Sequence, residues 1–188
     1  MPKLVECIPN FSEGRDRAVI DALSNTAQSV PGVSLLDVQA DEGHNRCVLT
    51  LVGSPEGIES AAVALAKAAA QLIDLRRHSG EHPRMGAVDV IPFVPVMDVT
   101  MEECADLSRR AAKRVWEEAH LPVFLYEESA SAPHRANLAD VRRGQFEGMP
   151  AKMRLPEWAP DFGGREPHPT AGVTAIGARK PLIAFNVN

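Results

Sequence analysis

Arg76-Arg77-His78-Ser79-Gly80-Glu81-His82-Pro83-Arg84-Met85-Gly86 stands between a long helical pattern and a strand pattern, and the fold depends on which of the two claims it. Upstream, Ile58, Ala61, Ala62, Leu65, Ala69, Leu72 and Ile73 repeat at helical spacing; downstream, Ala87 to Val96 is an apolar run of strand type. Were the helix to continue, His78-x-x-Glu81-His82 would have the spacing of an inverted zinc-protease motif, with two histidines on one helical face. Gly80 is a poor residue for a helix interior and Pro83 drives His82 toward extended backbone, so the zinc geometry is set aside and no metal is expected. The segment reads as an ordered loop joining helix to strand. It gathers two histidines, three arginines, a glutamate and two glycines into one connection. A histidine held extended by a following proline is suited to moving a proton near neutral pH, while a solvated loop histidine is the plainer alternative.

Working outward, Leu4 to Pro9 reads as a strand that enters a turn at Asn10 to Gly14. Val19, Ile20, Leu23 and Ala27 then mark a helix that stops at Pro31-Gly32. Val33 to Val38 and Arg46 to Val52 read as strands of a hairpin joined by Asp41-Glu42-Gly43-His44-Asn45. Ser54-Pro55-Glu56 opens the second helix with a capping serine, a first-turn proline and an acid. The first half therefore spells βαββαβ, the order of a ferredoxin-like sheet with both helices on one face. Pro92 and Pro95 imply that Ala87 to Val96 lies at an edge or carries a bulge near its end. Thr100-x-x-Glu103 is a capping-box spelling before a third helix whose buried face carries Cys104, Leu107, Ala111 and Val115. Pro122 to Tyr126 reads as a further strand. From Glu127 to Pro169 the pattern weakens to a short helix at Leu138 to Arg143 and a Gly- and Pro-rich loop, ordered by Trp158 and Phe162. Leu182 to Asn188 reads as a last strand. The expected class is α+β: a ferredoxin-like core extended by further strands, a mixed sheet with helices mainly on one face.

The 188 residues suffice for one hydrophobic core, burying roughly 70% of the unfolded surface, so a single domain over 1–188 is expected. A hydrophobic content of 45% and a net charge of −5 argue against disorder and against general affinity for nucleic acid, so anionic ligands must be bound locally. The start lacks the apolar stretch of a signal peptide, and no segment reaches the ~18 apolar residues of a membrane helix, so a soluble cytoplasmic protein is expected. Cys7, Cys47 and Cys104 have no metal-like spacing and are expected to be reduced and buried.

Leu4-Val5-Glu6-Cys7-Ile8-Pro9-Asn10-Phe11-Ser12-Glu13-Gly14, Gly80 to Gly86, Trp158-Ala159-Pro160-Asp161-Phe162-Gly163, and Gly177-Ala178-Arg179-Lys180 with Ala184-Phe185-Asn186 together resemble the amino-terminal subdomain of the glutamate formimidoyltransferase family. The resemblance spans essentially the whole chain. It implies transfer of a formimidoyl group between N-formimidoyl-L-glutamate and N5 of tetrahydrofolate, in histidine breakdown and one-carbon metabolism, with tetrahydrofolate as co-substrate. It also implies that His82 is the catalytic acid/base and that the loop from Gly163 to Gly172 contacts folate.

The remaining site candidates follow from that chemistry. Both substrates carry carboxylates, for which the guanidinium forks of Arg46 and Arg84 are candidates, surface ion pairs being the alternative. Asn10 is placed to offer its amide to a pterin or amidine, or simply to make a turn. Glu81 either orients His82 or is solvated. Gly163, Gly164 and Gly172 allow backbone amides to approach a flat ring, and Thr174 lies just beyond them. Where many members of the family have an aspartate beside the catalytic histidine, this chain has Gln39, which offers no charge to a proton; Asp37 or Asp41 is left to substitute. The family's transferase is similar to two subdomains facing each other across a cleft, and this chain corresponds to one. A C-terminal-subdomain partner or a second copy of the chain is therefore expected to complete it, as an excised subdomain, a split enzyme or a self-pairing relative. A non-catalytic folate-binding or interaction module is the competing reading.

Overall fold

The computed structural model describes residues 2–182. The opening strand is divided by Pro9 into β1 (Leu4–Cys7) and β2 (Asn10–Phe11), which both pair antiparallel with β4 (Arg46–Gly53) on one side and β5 (Val88–Met97) on the other. The turn expected at Asn10 is instead a resumption of the strand. Outside β4 lies β3 (Val33–Asp41). The order β3, β4, β1/β2, β5 is that of the ferredoxin-like core, and β7 (Thr174–Ala178) and β6 (Val123–Leu125) extend it by parallel pairing beyond β5.

β5 is consequently central, not an edge. Its prolines are tolerated because the chain opposite them is already irregular. Pro92 accepts from the Ile8 N–H, and the bond it cannot donate falls where β1 breaks before Pro9; the register shifts again opposite Pro95 to Met97.

Three helices cover one face: α1 (Arg17–Gln28), α2 (Pro55–Leu72) and α3 (Met101–Ala119), with α2 packed between the others. Each starts on a side-chain cap that satisfies first-turn N–H groups: Asp16 for α1, Ser54 for α2, and the reciprocal Thr100/Glu103 box for α3. The alanine stripe of α2, Ala61, Ala62, Ala66 and Ala69, is fully buried and lets the helix sit close to the sheet. Cys7, Cys47 and Cys104 are free thiols in this core.

The opposite face is divided. Over β5, β7 and β6 lie α4 (Leu138–Arg142) and α5 (Gln145–Lys152), whose Val141, Met149 and Met153 pack with Val90, Phe124, Tyr126, Val173 and Ala175. Over β4 the residues alternate between buried Cys47, Leu49 and Leu51 and half-buried Arg46, Val48, Thr50 and Val52. Gln39, Val48, Asn10 and Val90 form one lateral row across the four core strands, so it begins on the uncovered half and ends beneath α4 and α5. The sequence read neither α5, which contains Gly148 and Pro150, nor β7, whose five residues are all buried and show no alternation. The strand read at Leu182 to Asn188 lies, beyond its first residue, outside the described residues.

Candidate active site

The Arg76 to Gly86 segment is not helical. A 3-10 turn at Leu75–Arg77, capped by Asp74, ends at His78 with extended backbone (φ −79, ψ 130), so His78 and His82 share no helical face. The loop is stitched to the β3–β4 turn instead. Glu81 and His82 donate backbone N–H groups to the carbonyls of Gly43 and His44, each at 3.3 Å. The Asn45 side chain ties Gly14 N–H to Ser79 C=O. A Cβ at Gly80 would stand 2.4 Å from the His44 carbonyl oxygen, which is why only glycine allows this approach. His78 is fully engaged: Arg84 Nε donates to its Nδ1 at 3.2 Å, so its Nε2 carries the proton and donates to Asn45 C=O at 2.9 Å. Burial, the largest influence, pulls the His78 pKa below its ordinary value.

His82 is only 4% exposed. Its Nε2 points inward, 3.5 Å from Asp89 Oδ2, and makes no hydrogen bond. Nδ1 has no hydrogen-bond partner among the described residues. Asp89 owes its position to a bulge: Asn10 pairs with Val90 and Phe11 with Val88, leaving Asp89 as the extra residue of β5. The carboxylate is fully buried, accepts from Met85 N–H at 2.8 Å on Oδ1, and meets Arg142 Nε at 2.7 Å on Oδ2. Burial pushes the Asp89 carboxyl up, but His82, the Arg142 guanidinium and the Met85 N–H together hold it below the usual carboxylate range. Sequence reasoning missed both Asp89 and Arg142. The available signal was a single carboxylate inside a long apolar strand, which requires buried partners.

The other candidates are placed as follows. Arg84 is buried and binds Glu147 bidentately (2.7 and 2.9 Å) and Gln145. Glu81 is exposed. Asn10 donates to Ile8 C=O, Gln39 donates its amide to Asp37, and Asp41 accepts from His44 N–H. None of these three hydrogen-bonds to His82. Arg46 sits half-buried on the uncovered half, paired in register with Asp41, and makes no ion pair among the described residues. Gly163, with φ +113, lies against Trp116 and Pro122, and Gly164 is exposed with open space at its Cβ position. Gly172, with φ +69, is pressed on the Met85 carbonyl, and Thr174 is fully buried in β7 with Oγ1 unpartnered, on the side of Ile176 and Ala178 that faces the helical core. Their backbone role is to close β7 onto the segment after Arg84, as Val173 N–H to Met85 C=O shows.

Beside the loop, Pro83, Ala139, Arg142, Arg143, Gly144 and Gln145 line a cleft of about 420 Å³. Among the described residues no three His, Cys, Asp or Glu side chains converge in a metal-binding group, and no helix is long and apolar enough to cross a membrane. The arrangement offers a histidine backed by a charged carboxylate at the margin between the covered and uncovered halves of the sheet.

Residues 4–179 match the formiminotransferase domain, N-terminal subdomain. A glutamate formimidoyltransferase of Streptococcus pyogenes is 60% identical over the whole chain, which corresponds to 63% of that protein. A glutamate formimidoyltransferase of Thermoplasma acidophilum is 49% identical over 98% of this chain and 61% of its own length. A formimidoyltransferase-cyclodeaminase of Rattus norvegicus is 50% identical over all of the chain and 35% of its own length. The chain thus spans about three fifths or less of these relatives, and over that span it belongs to the formiminotransferase family as its N-terminal subdomain.

Proposed function

We propose that the protein transfers a formimidoyl group between N-formimidoyl-L-glutamate and N5 of tetrahydrofolate, with His82 as general acid/base. The observation that carries this reading is a histidine with one nitrogen beside a buried carboxylate, in a chain 60% identical to a glutamate formimidoyltransferase.

The chemistry suits that pairing. Attack of N5 on the amidine carbon forms a tetrahedral intermediate as the N5 proton is lost to solvent, and its collapse expels the glutamate amino group once that nitrogen is protonated. His82 donates the proton in this direction and accepts it in reverse; such help is typically worth about 10²–10⁴-fold, and holding two substrates in contact supplies much of the rest. Arg46, half-buried and in no ion pair among the described residues, is the better placed of the two arginines to take a substrate carboxylate, because Arg84 is occupied by Glu147.

The domain reading is one subdomain of a larger active unit. The greater length of the relatives and the half-buried face of β4 support a second subdomain, or a second copy, lying against the uncovered half.

The test is an assay with tetrahydrofolate and formimidoylglutamate, in the presence of the partner that completes the cleft, comparing the natural chain with His82→Ala. A loss of about 10²-fold or more in kcat supports the reading. Unchanged turnover in the variant defeats it, and folate binding without turnover in the natural chain would favour a binding module.

A further inference from the structure

We propose that Asp89 is the positioning residue for His82: it accepts Nε2–H, leaving Nδ1 to face the substrate, while Arg142 keeps the carboxylate ionised and moderates its pull. The inference rests on His82 being the acid/base and supplies what the sequence sought at Gln39, Asp37 or Asp41. Those three side chains bond one another or His44 and not His82. The carboxylate comes from a different strand, β5.

Three features converge. Asp89 is the extra residue of a bulge, a device that re-aims a side chain out of the strand alternation. Its side chain is fully buried, and a carboxylate survives there as an ion only when its oxygens are met by donors. Met85 N–H donates to Oδ1 at 2.8 Å and Arg142 Nε donates to Oδ2 at 2.7 Å, with Nη2 in ion-pair contact with that same oxygen. His82 Nε2 stands 3.5 Å from Oδ2 and is an atom that otherwise has no partner. Closing that gap fixes the tautomer and steadies the imidazolium, which is how a buried carboxylate assists a catalytic histidine.

The charges facing His82 come from several elements: Asp89 of β5, Arg142 of α4, and His78 in its own loop, which takes Arg84, itself held by Glu147 of α5. An anionic neighbour favours a protonated imidazole and a cationic one disfavours it. Removing each must therefore move the titration in opposite directions, which a purely structural role does not require.

The experiment is NMR titration of the His82 imidazole in the full chain, in Asp89→Asn and in Arg142→Gln, each variant first checked for a native-like melting transition. Asp89→Asn and Arg142→Gln are expected to move the midpoint in opposite directions, the first downward and the second upward. Should Asp89→Asn fail to fold, the upward shift in Arg142→Gln decides alone. An unmoved midpoint in the folded variants overturns the proposal. In the transferase assay Asp89→Asn is expected to lower kcat by about 10–10³-fold with little change in KM, and to move the pH profile to lower pH. If the midpoints shift as stated but His82→Ala leaves turnover intact, the functional reading fails and the positioning role stands.

Discussion

Arg135 Nη1 meets Asp161 Oδ2 at 2.8 Å, with both side chains more than nine-tenths buried, and its Nη2 donates to the carbonyls of Glu157 and Ala159. Asp161 in turn accepts from Leu125 N–H, so this one pair fastens the long excursion between β6 and β7 to the sheet. Arg135→Met strands a buried carboxylate and is expected to cost about 3–5 kcal/mol in denaturant unfolding. Arg135→Met with Asp161→Leu is expected to cost less than the sum of the two single changes, as a double-mutant cycle would show.

Gly80 and Gly164 provide a matched pair. Gly80→Ala places a methyl 2.4 Å from the His44 carbonyl oxygen, whereas Gly164→Ala meets nothing within 4 Å. The first is expected to lift the His82 loop from the β3–β4 turn, costing ~1–3 kcal/mol and lowering kcat; the second is expected to stay within about 0.5 kcal/mol. Thermal unfolding and turnover together separate the two.

Stability is expected to fall on mild acidification because of His78. Its folded pKa lies below the ordinary histidine value, so the unfolded chain binds the proton more readily. The contribution is complete above the unfolded value of about 6.5 and is lost as pH falls through that value toward the folded one. Protonation also breaks the Arg84 Nε to Nδ1 bond. Denaturant midpoints at pH 7.5 and 5.5 should differ in the natural chain, and by less in His78→Gln.

Glu147 competes for Arg84. The pair is bidentate, but the Glu147 side chain is mostly exposed, so Glu147→Ala is expected to cost less than about 1 kcal/mol of stability. If Arg84 also serves a substrate carboxylate, freeing it lowers KM for formimidoylglutamate by roughly two- to fivefold with kcat unchanged.

The thiols are expected to be silent in the native state. Burial pushes Cys47 and Cys104 up to about 12, and Cys7 further in the same direction, so almost no thiolate exists at neutral pH. A disulfide reagent such as DTNB should leave all three unreacted in native protein and titrate three after denaturation.

What the sequence disclosed was local. Ser54-Pro55 and Thr100 with Glu103 announce α2 and α3 because caps are read within one turn, and the stripe Cys104, Leu107, Ala111, Val115 is the face that is buried. β7 escaped notice because a central parallel strand, buried on both sides, lacks the alternation that marks a half-exposed one. Pro92 and Pro95 argued for an edge or for a bulge near the strand's end; the register shift opposite Pro95 to Met97 is that irregularity, while the break at Pro9 that lets the strand be central has meaning only once the pairing is known. His82 stood out through the density of its loop. Its carboxylate did not, because Arg142, the partner that makes Asp89 tolerable, lies 53 residues away in a short helix whose pattern does not say which strand it covers.

The additional position in β5 binds chemistry to architecture. Val88 faces the three-helix layer and Val90 the layer of α4 and α5, with Asp89 between them. Deleting one residue here would restore an unbroken ladder and swing the acidic group among alanines and valines with no cation near it. A variant library that shortens this strand should thus lose soluble protein first, so the placing of Asp89 beside His82 is shielded from gradual erosion by the penalty of misfolding.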